Sequence, residues 1–338
     1  MGEMKRILKR SIMIIILSVF FLLIIPIVVA WIIITQPTSA KNTLSDKNVD
    51  EERLQKHVWI LSEKYSPRDY THVDNLNDCA AYILGHFKKA GARSTSIQTF
   101  SIYGREYKNI IAFFGSQSQE RIVVGAHYDA VEATPGADDN ASGVAGLIEL
   151  AYLLGSSSVQ EEIELVAYTL EEPPFFGTNH MGSAYHAELL AEDGISIKLM
   201  IALEMIGYFC DQKNSQSFPL SILKWFYPNK GNFIIVVGGL AQRQITRTIK
   251  IAMKNATELP VYSINAPSLI PGIDFSDHRS YWNFGYNAIM ITDAAFYRNK
   301  TYHLAGDTSD RLDYKRMAQV VVGLYEAVNV LSKENMVN

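Results

Sequence analysis

Between Ile12 and Ile34 the chain runs for 23 residues without a charge. As a helix rising roughly 1.5 Å per residue, this run would be about 35 Å long, enough to cross a hydrocarbon core of ~30 Å. Lys5, Arg6, Lys9 and Arg10 precede it, and the first charge after it is Lys41. That asymmetry predicts a cytoplasmic N-terminus and an exported body. Pro26 is tolerable within a spanning helix and Trp31 suits its outer interface. The alternative is a signal peptide cleaved near Thr38-Ser39-Ala40, but signal apolar regions usually run roughly 7–15 residues. The expected layout is therefore a cytoplasmic tail (1–11), a membrane anchor (12–34), a polar linker (35–49) and a folded body (50–335).

The body is acidic. Of 31 basic and 35 acidic residues in the 338-residue chain, the first 40 residues hold Lys5, Arg6, Lys9, Arg10 and Glu3. The remainder carries 27 basic and 34 acidic residues, net −7, with no basic run interleaved with aromatics. Nucleic acid is not an expected partner. Cys79 and Cys210 lie 131 positions apart, far from any zinc-ribbon spacing. Two free thiols are expected, although a disulfide would suit an oxidising compartment.

Within the body, helical spacing predicts helices over 49–65, 73–90, 141–154, 178–191, 241–255 and 311–332. Strand-like runs occupy 94–102, 107–114, 121–126, 163–169, 196–203, 233–237 and 288–292. The Ile-Val-Val-Gly-Ala run at 122–126 suits a strand buried on both faces. Strands alternating with helices predict an α/β three-layer sandwich around a mostly parallel central sheet.

In an open α/β sheet, sites form beyond the carboxyl ends of the strands, and metal-type ligands follow several of these strands. His127-Tyr128-Asp129 closes the buried run. Imidazole is a good zinc ligand, and a nearby carboxylate can orient it. Asp138 and Asp139 follow in Gly-Ala-Asp-Asp-Asn-Ala-Ser-Gly (136–143), where capping the next helix is an equally natural role. Glu171-Glu172 ends another strand, and such a pair can divide its labour between ligation and proton transfer. Glu204 ends a third, and His303 sits in a loop after the last. Each alone is ambiguous; two histidines and three carboxylates at successive strand ends point together to a metal site.

HYDA (127–130), GADDNASG (136–143), TLEEPPFFGT (169–178), LEMIGY (203–208), SDHRSYW (276–282) and YHLAGDT (302–308) occur in the order seen in the M-28 family of zinc aminopeptidases, clan MH. The chain resembles that family over roughly 50–331. The resemblance implies a zinc-exopeptidase-like fold and two zinc ions. It places His127 on one zinc, Asp139 as the bridge, and Glu172 with His303 on the other. Glu204 stands where many members have aspartate and is retained as a ligand of the first zinc. Glu171 matches the general base and Asp129 the residue that orients the first histidine. Asp277 and His278 fall at the pocket wall as substrate-side candidates, with Tyr302 possible beside them. The implied activity is removal of N-terminal residues from peptides outside the cytoplasm.

Carboxypeptidase or dipeptidase action, a single-zinc glutaminyl cyclase and a non-catalytic receptor are the alternatives on the same fold. His57, His72 and His86 are expected at the surface, and His180 and His186 in structural roles. The aromatic-rich insertion 210–231, directly after Glu204, is expected to overhang the pocket as a lid.

Overall fold

The computed structural model describes residues 2–39, 41 and 43–333. Met1 and Ala40, and the last two residues of the expected body (334–335), lie outside the described residues. The apolar run forms helix α1 (Gly2–Thr35), with Pro26 inside it. Among the described residues it is the one helix long and apolar enough to cross a membrane, and none of its most apolar stretch is buried in the molecule. The polar stretch that follows lies against the body. Gln36 Nε2 donates to the Arg243 carbonyl at 2.6 Å, and the Ser45 amide donates to the Ala256 carbonyl at 2.9 Å.

The body is built on one eight-stranded sheet. Its strands are β1 (Ser94–Ile102), β2 (Arg105–Phe114), β3 (Glu120–His127), β4 (Glu162–Tyr168), β5 (Ser196–Glu204), β6 (Ile234–Gly238), β7 (Val261–Asn265) and β8 (Ala288–Thr292). Their spatial order is β1-β2-β4-β3-β5-β8-β6-β7. The four central strands, β4, β3, β5 and β8, run parallel, as do β6 and β7. Antiparallel pairing enters at the β1–β2 hairpin, between β2 and β4, and between β6 and β8. The hairpin turns through Tyr103 (φ 50°) and Gly104 (φ 78°). Two consecutive positive φ values match the right-handed twist of paired strands.

The alternation of β3 shows how the layers arise. Ile122 and Val124 pack into one apolar cluster and Val123 into the other, all with no solvent exposure. On one face lie α2 (Glu51–Trp59), α3 (Val73–Lys89), α4 (Gly143–Gly155), α6 (Arg243–Ala256) and α8 (Tyr314–Leu331). On the other lie α5 (Gly182–Glu192), α7 (His278–Asn283) and part of the 210–231 insertion. The three-layer α/β sandwich is therefore as expected.

The differences from the sequence reading have local causes. β7 and α7 go unread: Ser263 and Asn265 interrupt the apolar run that marks the equally short β6 and β8, and α7 is only six residues long. α5 begins at Gly182 rather than residue 178, because the Gly182 amide donates to the Thr169 carbonyl at 2.8 Å and the intervening chain makes turns. Asp50 caps α2 by accepting the Arg53 amide at 3.1 Å.

His57 corrects an expectation. It is buried on the α2 face that also carries Leu54 and Val58, with Nδ1 2.6 Å from the Tyr82 hydroxyl and Nε2 3.3 Å from Glu149. His86 is half-buried beside it, and His72 alone of the three is exposed. Helical periodicity turned His57 inward, where the Tyr82 hydroxyl bonds Nδ1 and the Glu149 carboxylate lies near Nε2. Both cysteines are free, Cys79 buried and Cys210 half-buried.

Candidate metal centre

Four neighbouring parallel strands end on one side of the sheet, and the candidate ligands gather there. His127 is the last residue of β3 and Glu204 the last of β5; Glu171 and Glu172 follow β4, and His303 follows β8. Parallel strands place all their carboxyl ends together, so residues far apart in sequence meet. Three of these turns use a non-glycine residue with positive φ: Leu170 (62°), Met205 (50°) and His303 (57°). Such a residue costs roughly 1–2 kcal/mol relative to ordinary backbone. Leu170 and Met205 stand directly beside Glu171 and Glu204 at the strand ends, and His303 is itself the ligand candidate.

Asp139 is the centre of the arrangement. Its Oδ1 lies 3.4 Å from His127 Nε2, and its Oδ2 lies 3.2 Å from His303 Nε2. Glu204 Oε2 is 3.4 Å from His127 Nε2, and Glu172 Oε2 is 3.3 Å from His303 Nε2. Two donor groups share Asp139, His127–Asp139–Glu204 and Asp139–Glu172–His303, and a third joins His127, Glu171 and Glu172; in each the ligand atoms lie within 4.8 Å of one another. Glu171 belongs to neither of the two groups that share Asp139; its Oε2 is 3.8 Å from His127 Nε2.

The donors fit a cation. His127 Nε2, Asp139 Oδ1, Glu172 Oε1 and His303 Nε2 are buried and have no hydrogen-bond partner, a costly state unless something satisfies them. Their chemistry, imidazole nitrogen with carboxylate oxygen, is that of zinc sites. The electrostatics agree. Burial, then the neighbouring Asp139, pushes Glu172 up to about 8, and burial with Glu204 and Glu172 nearby lifts Glu171 well above the carboxylate range. Burial would lower His303, but the Asp139 and Glu172 carboxylates win and raise it to about 10. Clustered carboxylates that resist ionisation together are relieved by a positive ion.

A supporting set holds these groups in place. Asp129 Oδ1 and Oδ2 accept the backbone amides of Glu171 and Glu172 at 3.2 and 3.1 Å. The His127 Nδ1 contact is 3.2 Å to the Asp129 backbone carbonyl and 3.5 Å to its carboxylate, so Asp129 touches both strand ends. Asn140 Nδ2 donates to the Leu203 carbonyl at 2.8 Å, while its Oδ1 accepts the Gly143 and Met205 amides, tying the Asp139 loop to the Glu204 turn. Gly143 must be glycine, since a Cβ there would sit 2.3 Å from Asn140 Oδ1.

Sequence reasoning missed Arg68 and Asp307. Arg68 is fully buried and donates to the carbonyls of Leu61, Tyr128, Pro135 and Gly136, bracing the loops of His127 and Asp139. Asp307 accepts the Asp138 and Asp139 amides at 3.1 Å. A lone arginine in a polar stretch carries no signal of its four distant acceptors. Asp307 stood in a motif already noted (302–308) and could have been singled out there.

The substrate-side candidates are distributed differently. Tyr302 stacks on His303 with ring centroids 3.7 Å apart. Asp277 is buried with both carboxylate oxygens unpartnered, and burial raises it to about 7. His278 turns the other way, bonding the Ile273 carbonyl at 2.8 Å and packing edge-on against Trp282. Beside Glu204 and Tyr302 opens an apolar cavity whose walls include Phe233, Ile235 and Met290. The insertion covers it through Phe218, Leu223 and Tyr227.

A family model described as peptidase family M28 matches residues 109–328. Over 312 residues the chain is 47% identical to the uncharacterized protein YfbL of Escherichia coli (strain K12), covering 90% of this chain and 95% of that one. It is 24% identical over 297 residues to a probable leucine aminopeptidase of Arthroderma otae, covering 82% of this chain and 72% of the relative. Among solved structures it resembles BSAP, a zinc aminopeptidase from Bacillus subtilis, with a TM-score of 0.68 at 14% identity, covering 87% and 98%. Glutaminyl cyclase from Bacteroides thetaiotaomicron has a TM-score of 0.62 at 20% identity, covering 84% and 98%.

Proposed function

The chain belongs to peptidase family M28 and is a metallopeptidase; from that premise we propose that it removes N-terminal residues from peptides outside the cytoplasm with two zinc ions. The observation that carries the two-ion reading is Asp139, whose two oxygens face different histidines. His127, Asp139 and Glu204 would hold one ion, and Asp139, Glu172 and His303 the other. When bound, the ions supply Lewis acidity toward the scissile carbonyl and lower the pKa of water.

The chain's own groups do the rest. Glu171, outside both donor groups that share Asp139, takes a proton on its carboxylate from the attacking water and returns it to the leaving amine. Asp129 fixes Glu171 by its backbone amide, and Asp307 fixes Asp139 in the same way. The apolar cavity next to Glu204 takes the side chain of the N-terminal residue, favouring large apolar ones. Tyr302, whose hydroxyl is held neutral by burial and the surrounding carboxylates, borders both the cavity and His303.

Residues 50–335 form the catalytic unit in this reading, with 12–34 as an uncleaved anchor and 1–11 in the cytoplasm. Retention of the anchor is supported by the buried Lys250, whose Nζ donates to the Thr35 carbonyl at the end of α1 at 2.9 Å. A cleaved signal would leave that lysine without its acceptor.

The test uses the full chain in detergent, stripped with chelator and reloaded with zinc, against unblocked, N-acetylated and N-terminal glutaminyl peptides. Release of free leucine or phenylalanine from unblocked peptides only, with two equivalents of zinc per chain, is the expected result. Pyroglutamyl product without hydrolysis, at one equivalent, would replace this reading by the cyclase.

A further inference from the structure

The insertion that roofs the cavity is apolar on both sides. Leu223 and Tyr227 point inward and line the cavity. On the outside, Leu220, Ile222 and Trp225 are 46, 47 and 81% exposed. Ser221–Trp225 is a tight helix of one to two turns. Three residues per turn put Ile222 and Trp225 on one edge and Leu223 and Phe226 on another. Exposed aliphatic and tryptophan side chains gathered on seven residues are costly in water, and such patches mark interaction surfaces.

The structure places this segment beside the root of α1. Phe226, the next residue after the tight helix, lines one crevice with Trp31, Thr35 and Tyr262. The root is held there by several bonds. Lys250 Nζ donates to the carbonyls of Thr35 and Gln36, Ser263 Oγ donates to Thr35 O at 3.0 Å, and Lys254 Nζ donates to Thr38 O at 2.6 Å. Thr35 and Gln36 are buried. The body is thus fixed to the end of the spanning helix rather than swinging on a tether.

We propose that the Leu220–Phe226 segment is a second membrane contact, seating Leu220, Ile222 and Trp225 in the interfacial layer of the bilayer that α1 spans. The proposal rests on α1 being a retained anchor. A helix that leaves the bilayer near Trp31 and is clamped within four residues holds neighbouring surface at headgroup depth. Tryptophan and aliphatic side chains partition there, and Lys224 between them meets lipid phosphate. The inward residues of the same segment wall the apolar cavity, so the cavity's outer wall is membrane-seated.

The experiment reconstitutes the full chain into phosphatidylcholine nanodiscs, with and without acyl chains brominated close to the headgroup. Tryptophan emission is recorded for the wild type, Trp31→Phe and Trp225→Phe. The wild-type minus Trp31→Phe spectrum reports the anchor; the wild-type minus Trp225→Phe spectrum reports the insertion. We expect bromine to remove most of both difference signals, and the Trp225 signal to be blue-shifted relative to that of the protein in denaturant. A quenched Trp31 beside an unquenched, red-emitting Trp225 overturns the membrane contact while leaving the anchor intact. An unquenched Trp31 overturns the anchor and this inference with it. Neither result depends on whether the protein cleaves peptides.

Discussion

The Asp129 carboxylate accepts the backbone amide of Glu171 at 3.2 Å. That bond fixes the height of the Glu171 backbone over the strand ends while leaving its side chain to face His127 Nε2. A proton carrier held by its backbone keeps its carboxylate available for chemistry. Glu171→Gln preserves shape and removes the exchangeable carboxylate, so kcat is expected to fall by about 10²–10⁴-fold. KM and zinc content should stay close to wild type, as read by steady-state kinetics and elemental analysis. An equal loss of zinc and activity would make Glu171 a ligand instead.

The sharing of Asp139 between two histidines predicts unequal effects of single ligand substitutions. Asp139→Asn should lower retention of both ions, and His303→Ala of one, after dialysis against a weak chelator. If Asp139→Asn keeps two tightly bound ions, the bridge assignment is lost.

Arg68 reaches four carbonyls in the two loops that carry His127 and Asp139. Arg68→Met removes the donor from all four carbonyls, leaving only Gly136 with another partner, the Ala141 amide, and unfolding should become easier by at least about 2 kcal/mol in urea titrations. Arg68→Lys should rescue only partly, since an ammonium cannot span the acceptors a guanidinium fork reaches. Wild-type stability in Arg68→Met would show the brace to be dispensable.

The cavity beside Glu204 predicts a change in substrate preference. Ile235→Phe fills part of its wall, and the ratio of kcat/KM for N-terminal phenylalanine over alanine should drop by about 10–200-fold. An unchanged ratio would place the N-terminal side chain elsewhere.

His86 supplies a pH prediction away from the metal residues. Burial, with His57 and Lys89 close by, lowers it to about 4 from an ordinary value near 6.5. The folded state therefore binds fewer protons than the unfolded state between these values. The stability this contributes is full above about pH 6.5 and is lost as pH falls towards 4. Relative to His86→Phe, the wild type should lose urea resistance across that window, and parallel curves for the two proteins would refute the assignment.

Much of this was legible from local pattern. The Ile12–Ile34 run reads as one long helix, and α1 forms there, because 23 uncharged and mostly apolar residues admit few other structures. β3 reads as a buried strand, and the residues at its end read as candidate ligands, because an apolar run closed by a histidine and an acid is visible within ten residues. His57 misled because its environment, Glu149 and Tyr82, is built from other helices.

Which donors meet was decided elsewhere. His303 lies 131 residues after Glu172, and their 3.3 Å approach depends on the order β4-β3-β5-β8 across the sheet. That order follows from packing both faces of the sheet at once, a balance of contacts spread over the whole body. The same holds for the positive-φ turns at Leu170, Met205 and His303, for Arg68 beneath the loops, and for the clamp of Lys250 on the root of α1. Residue types and spacing set the available chemistry, because side-chain donors and hydrophobic periodicity are local properties. Only the closed tertiary structure could bring those donors to one point, because long-range contacts are bought with the burial energy of the whole core rather than of any segment.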